Sequence, residues 1–175
     1  MESVTCRGQV SKKEFMMFYL FHVRKRLAFQ SFAFLLLLLI SFTYLSSSTD
    51  IVRNTFPVFS YSIVVALLYS AAQLGLTAFS AHKDYEGDSY IRRDVTHVIN
   101  EELLIQQSNK GDKLNNWDDV HEVFTRKDKY LIYIGPYRAV ILPFRFFAST
   151  KDRQALENIM KQRLKKKQLH LKKAP

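Results

Sequence analysis

The sequence predicts a membrane α-helical hairpin joined to a small α+β domain, an antiparallel sheet or barrel of about seven strands closed by a C-terminal helix. Three observations carry this. Two runs, Leu27–Leu45 and Val58–Ala81, contain no charged residue. Lys and Arg crowd their outer flanks, while the segment between them holds only Arg53, offset by Asp50. After Tyr90 the pattern changes to short β-type runs broken by turn residues.

A bilayer core of ~30 Å needs about 20 apolar residues in a helix. Leu27–Leu45 meets that length, with Leu35–Ile40 wholly aliphatic. Val58–Ala81 is longer and has room to tilt. A signal peptide fits the first run poorly: the charged region before it is long, and no small-residue cleavage site follows Leu45. Arg7, Lys12, Lys13, Arg24, Lys25 and Arg26 precede the first span, and Lys83, Arg92 and Arg93 follow the second. The positive-inside rule places both termini in the cytoplasm of a multi-pass cell-membrane protein.

In the second span, Ser62, Ala66 and Ser70 stand four apart, and Ala71 and Gly75 form a further small-residue pair. Small residues let helices approach closely. Packing within the hairpin is the plainer reading; a partner helix or a homo-oligomer is the other. Neither span holds an ionisable residue, which argues against an ion or proton path.

Before the spans, Glu2–Val10 reads as a short strand. Ser11-Lys12-Lys13-Glu14 matches a capping box. The helix it opens runs through Phe15–Phe21 to Arg24-Lys25-Arg26 and either lies at the interface, packs on the domain or runs on into the first span.

Beyond the spans, Asp94–Ile99 is rich in β-branched residues, and Asn100-Glu101-Glu102 turns it into Leu103–Ser108. Asn109-Lys110-Gly111-Asp112 is a strong turn signal. A short strand leads to Trp117, then Val120–Thr125, Tyr130–Ile134 and Arg138–Leu142 follow. Pro143 ends the last, since it cannot donate to a ladder. Ser149 or Thr150 can cap a final helix with Leu156, Ile159, Met160 and Leu164 on one stripe. The expected parts are 1–26, a strand and amphipathic helix; 27–45, the first span; 46–57, an external loop; 58–81, the second span; 82–164, the cytoplasmic domain; and 165–175, a polybasic tail.

The order of two spans, Asn116-Trp117-Asp118-Asp119-Val120, a Tyr-rich strand and Ile141-Leu142-Pro143-Phe144-Arg145-Phe146-Phe147 before a helix resembles the bacterial YcxB-like proteins. That family pairs a two-helix anchor with a domain similar to pleckstrin-homology (PH-like) modules. Trp117, Pro143, Arg145 and Phe147 fit its pattern, whereas Phe144 stands where the pattern has Lys. The resemblance implies fold and topology and assigns no activity. Trp117, Pro143, Phe146, Phe147, Leu156, Ile159 and Met160 are the expected core, with Trp117 and Phe146 read as anchors rather than ligand contacts.

The five histidines are scattered and form no zinc spacing with the lone Cys6. No phosphate-binding Gly-rich loop or nucleophile elbow is present. The carboxylates at Glu101/Glu102 and Asp118/Asp119/Glu122 fall at turns and strand edges, where solvated surface is the plainer reading. No cofactor or metal is expected. A single cysteine excludes an internal disulfide, and Cys6 reads as a small strand residue.

The formal charge of +10 suits an anionic inner leaflet better than nucleic acid. Arg24, Lys25, Arg26, Lys161, Arg163, Lys165, Lys166 and Lys167 are the expected lipid contacts, with Leu164, Leu169 and Leu171 able to dip into the headgroups. The expected role is a non-enzymatic binding or scaffolding module at that surface. Self-immunity against a membrane-active peptide and an accessory subunit of a membrane complex are the alternatives.

Overall fold

Period-two burial and period-3.6 burial divide this chain cleanly in the computed structural model, which describes residues 3–45, 51–88, 91–109, 111–135 and 138–171. The chain forms two units, Met1–Phe18 with Tyr85–Pro175, and Tyr19–Asp84.

The first unit is β-rich. One sheet has the order β1-β2-β3-β4, with β1 Val4–Gly8, β2 Val95–Ile99, β3 Leu103–Ser108 and β4 Gly111–Asn116, all antiparallel. The second has the order β7-β6-β5-β8, with β5 Glu122–Arg126, β6 Lys129–Gly135, β7 Arg138–Pro143 and β8 Leu169–His170. Two features depart from expectation. No ladder joins the sheets among the described residues, so no barrel closes. The eighth strand, β8, runs parallel to β5.

Alternation explains the sheets. In β2, Val95, His97 and Ile99 are buried while Thr96 and Val98 are partly exposed. Strand β6 is buried on both faces, which accounts for its near-continuous apolar run. Asn100 turns β2 into β3 by accepting from the Glu102 and Leu103 amides at 2.8 and 2.7 Å.

The closing helix, α3 (Thr150–Arg163), is capped by Ser149 and Asp152 in a reciprocal box. Leu156, Ile159 and Met160 are fully buried, and each such side chain contributes about 1.5–3 kcal/mol. They join Trp117, Val123, Tyr130, Leu142, Phe146 and Phe147 in one core. Pro143 pairs with Lys129 at the last rung of β6–β7, after which Phe144 donates to the Asp128 carbonyl at 2.7 Å.

Helix α1 is continuous over Lys12–Leu45, so the N-terminal helix and the first apolar run are one element. Ser11 and Glu14 make the expected box at its start: the Glu14 amide donates to Ser11 Oγ at 3.3 Å and the Ser11 amide to Glu14 Oε2 at 2.7 Å. Within the β-rich unit, Phe15 meets Tyr85 and Phe18 meets Tyr133 at ring separations of 5.7 and 6.0 Å. Helix α2 spans Ile51–Gly87. Residues 51–57 are thus helical where an external loop was expected; residues 46–50 lie outside the described residues.

The second unit consists of the remaining parts of α1 and α2. Ser70 Oγ donates to Ser31 Oγ at 2.9 Å, and the rings of Phe34 and Tyr69 stack at 4.2 Å. Among the described residues one helical stretch, Phe59–Gly87, is long and apolar enough to cross a membrane.

Candidate functional site

The segment after β7 places a guanidinium beside the start of α1. A single 3-10 turn, Phe144–Phe146, buries Phe146 and leaves Arg145 at the surface. Arg145 Nε donates to Glu14 Oε1 at 3.0 Å and Nη2 to Glu14 Oε2 at 2.8 Å. Nη2 also donates to the Gln9 carbonyl at 2.6 Å. Burial alone would raise the Glu14 carboxyl, but the hydrogen bonds from Arg145 and Ser11 and the adjacent charge outweigh it and hold it near 2. Arg145 therefore acts as a tether between two distant segments. Capping chemistry revealed Glu14 in the sequence, and nothing local linked it to Arg145.

Next to the tether, Gly8 lies where a Cβ would overlap the Phe146 ring. Phe146 in turn stacks on His97 at 6.2 Å. His97 occupies a buried row, Cys6–His97–Gln106, set by the β1–β2–β3 register. Gln106 Nε2 lies 3.5 Å from His97 Nδ1. Burial holds the imidazole down to about 4 and pushes the Cys6 thiol up to about 12. A neutral imidazole and a protonated, covered thiol make a structural pair rather than a reactive one. Among the described residues no group of three His, Cys, Asp or Glu side chains could hold a metal ion.

The expected lipid-contacting residues fall in three places. Arg24, Lys25 and Arg26 are exposed on α1, with the Arg24 guanidinium 4.1 Å above the Phe21 ring. Lys161 and Arg163 are exposed on the last turn of α3 and pair with Glu157 at 3.8 Å and Glu101 at 3.7 Å. Lys165, Lys166 and Lys167 are exposed just beyond α3. The stretch that carries them is not a loose tail as far as Leu171. Gln168 Nε2 donates to the Val120 carbonyl at 2.7 Å, and His170 stacks on Phe124 at 4.5 Å. Leu164 is buried in the core, and Leu169 and Leu171, partly buried, pack against it. Residues 172–175 lie outside the described residues.

The small residues of α2 divide between two faces. Ser62 and Ala66 are buried within the helix pair, and Ser70 joins them through its bonds to Ser31 and the Ala66 carbonyl. Ala71 and Gly75 are exposed, and a Cβ on Gly75 would meet nothing within 4 Å. The core residues Trp117, Pro143, Phe146, Phe147, Leu156, Ile159 and Met160 are all buried, and Trp117 Nε1 donates to the Asn100 carbonyl at 2.8 Å.

Residues 99–160, from the end of β2 through most of α3, match the family model described as YcxB-like protein. The match includes Trp117, Pro143, Arg145 and Phe147, so the resemblance drawn from those residues holds. Over 111 residues the chain is 24% identical to "Uncharacterized protein YcxB" of Bacillus subtilis (strain 168). That stretch covers 63% of this chain and 60% of the relative, so the chain matches less than two thirds of the relative's length. No solved structure matches.

Proposed function

We propose that this YcxB-like chain is a non-enzymatic two-pass membrane protein whose PH-like unit binds or scaffolds a partner at the anionic inner leaflet. One observation carries the membrane reading. Large apolar side chains stand exposed along both long helices: Phe29, Phe32, Leu37 and Ile40 on α1, and Leu67, Leu68, Leu76 and Phe79 on α2. Soluble monomers rarely expose such a surface, and lipid would cover it. The basic flanks support cytoplasmic termini.

The mechanism is positional. The hairpin fixes the β-rich unit by covalent continuity through α1 and α2. Lys161, Arg163 and Lys165–Lys167 then supply attraction of up to about 1 kcal/mol each near anionic lipid, less in salt. Because Leu169 and Leu171 face the core, the attraction is electrostatic and is lost as salt rises.

The test uses the full chain, since a fragment starting at Lys83 would lack β1. A fluorophore on Gln162→Cys, an exposed position of α3, reports quenching by spin-labelled lipid in reconstituted vesicles. Anionic vesicles should quench more than zwitterionic ones at low salt. The difference should vanish when Lys165, Lys166 and Lys167 are all changed to Gln. Equal quenching in all cases removes the lipid reading. Release of the native chain from membranes by an alkaline wash removes the two-pass anchor.

A second reading, an accessory subunit, is favoured by the outward small-residue face of Ala71 and Gly75. It predicts a stoichiometric partner that is lost on Gly75→Leu and retained on Ser70→Leu.

A further inference from the structure

We propose that the outer edge of β4 pairs with the same strand of a second copy, joining two four-stranded sheets through Leu114. The proposal is independent of the lipid reading above.

The order β1-β2-β3-β4 leaves one side of β4 without a strand partner among the described residues. The direction of its backbone groups follows from the ladder. Asn100 N–H donates to the Leu103 carbonyl, so on β3 Leu103, Ile105 and Gln107 direct their amides and carbonyls toward β2. Leu104, Gln106 and Ser108 direct theirs toward β4. Their partners there are Asn115, Lys113 and Gly111. Asp112, Leu114 and Asn116 are left presenting both backbone groups to the open side. That is a template for an added strand.

The side chains on the outer face point to what covers it. The register aligns Thr5, Val98, Ile105 and Leu114 in one row across all four strands. The row is apolar over its last three positions and ends on Leu114, which is 64% exposed. Among the described residues, Leu114 is the one large apolar side chain of the β-rich unit that stands so open. An apolar row that stops at a free edge is half of a row.

The strand is complementary to itself in one register. A two-fold axis perpendicular to the sheet places Leu114 opposite Leu114 of the second copy. Asp112 then faces Asn116, and Lys113 faces Asn115. All three outward-directed residues fall in hydrogen-bonded pairs, giving about six new backbone bonds at two per pair. Two apolar rows become one. The register shifted by one residue on each copy sets Lys113 against Lys113, and the next sets Asp112 against Asp112. Like charges directly opposite are destabilising, so charge disfavours both registers shifted toward Gly111, and shifts toward Asn116 leave fewer outward-directed residues of the strand in hydrogen-bonded pairs.

The test is crosslinking of the full chain in its native membrane. Leu114→Cys with a short bis-maleimide should yield a dimer. The native chain supplies the background, because Cys6 is buried. Gln107→Cys, exposed one strand away from the edge, should yield none. Adding Asn116→Pro to Leu114→Cys should abolish the dimer. Asn116 has φ −84°, which proline accepts, and its N–H points outward, so the β3–β4 ladder is untouched. An unchanged circular dichroism spectrum confirms that the variant is folded. The proposal is overturned if Leu114→Cys gives no more dimer than Gln107→Cys, if Asn116→Pro leaves the dimer intact in a folded chain, or if Leu114→Cys couples chiefly to a different protein.

Discussion

Arg145 holds both carboxylate oxygens of Glu14 from 131 residues away in the chain, at 3.0 and 2.8 Å. The same carboxylate accepts from the Ser11 amide, and the same guanidinium donates to the Gln9 carbonyl. One ion pair therefore completes the N-terminal cap of α1 and fastens the β1–α1 connection to the turn after β7. A cap residue that is also half of a long-range pair couples local helix formation to tertiary structure.

Removing the guanidinium strands a buried carboxylate. Arg145→Ala should destabilise the β-rich unit by about 2 kcal/mol, below the roughly 3–5 kcal/mol of a fully buried pair, because Arg145 itself is half-exposed. Arg145→Lys should recover less than half of that, since an ammonium cannot span both oxygens. Denaturant titration of the full chain in detergent, followed by Trp117 fluorescence, measures both. Equal stability of Arg145→Ala and the native chain would show the pair to be a surface decoration.

Acid should act on this unit in two windows. His97 is held at about 4 against an ordinary 6.5, with the neutral ring favoured by burial against Cys6, Gln106 and Phe146. Its contribution is fully present above pH 6.5 and is lost as pH falls toward 4, where the unfolded state binds the proton and the folded state resists it. Glu14 is held at about 2 against 4.5, so its contribution is present above 4.5 and lost as pH falls toward 2. Stability measured from pH 7 to pH 2 should fall through both windows. His97→Gln should flatten the upper one and Glu14→Gln the lower. A curve that His97→Gln leaves unchanged between pH 6.5 and 4 would contradict the assignment.

Gly8 has no room for a side chain because the Phe146 ring occupies the site of its Cβ. Phe146 is itself buried and stacked on His97, so it cannot swing away cheaply. Gly8→Ala should cost about 1–3 kcal/mol, the range for overpacking a filled core. Gly8→Ala with Phe146→Leu should be less destabilised than the sum of the two single changes. A strictly additive double mutant would mean the two positions do not compete for the same space.

Much of this arrangement was legible in the sequence because its causes are local. The Ser11/Glu14 box, a helix cap at Ser149 or Thr150, the strand limits at Leu103–Ser108, and the stripe Leu156, Ile159 and Met160 follow from capping and periodicity alone. What escaped has non-local causes. The run Lys165–Lys167 reads as a free tail until Gln168 meets Val120 and His170 meets Phe124, contacts made by a 3-10 turn and a two-residue parallel strand too short to leave a pattern. Residues 51–57 read as a loop because they separate the two charge-free runs, yet the helix begins at Ile51 and carries Pro57 inside it. The small residues of α2 were visible as a group, but which of them meet α1 depends on helix rotation. That face became known only from the Ser31–Ser70 contact.

That rotation gives the last prediction. Ser62 is fully buried and Ser70 reaches Ser31, whereas Gly75 opens onto unfilled space. Ser62→Leu forces extra carbon into the helix pair and should weaken it by about 1–3 kcal/mol. Gly75→Leu adds as much volume on the outside and should leave the pair intact. Ser31→Cys with Ser70→Cys, oxidised in detergent, reports the pair directly. Its crosslinking yield should drop in the Ser62→Leu background and hold in the Gly75→Leu background. The reverse pattern would place Gly75, not Ser62, against α1. The packing face of α2 would then be the one now assigned to a partner helix.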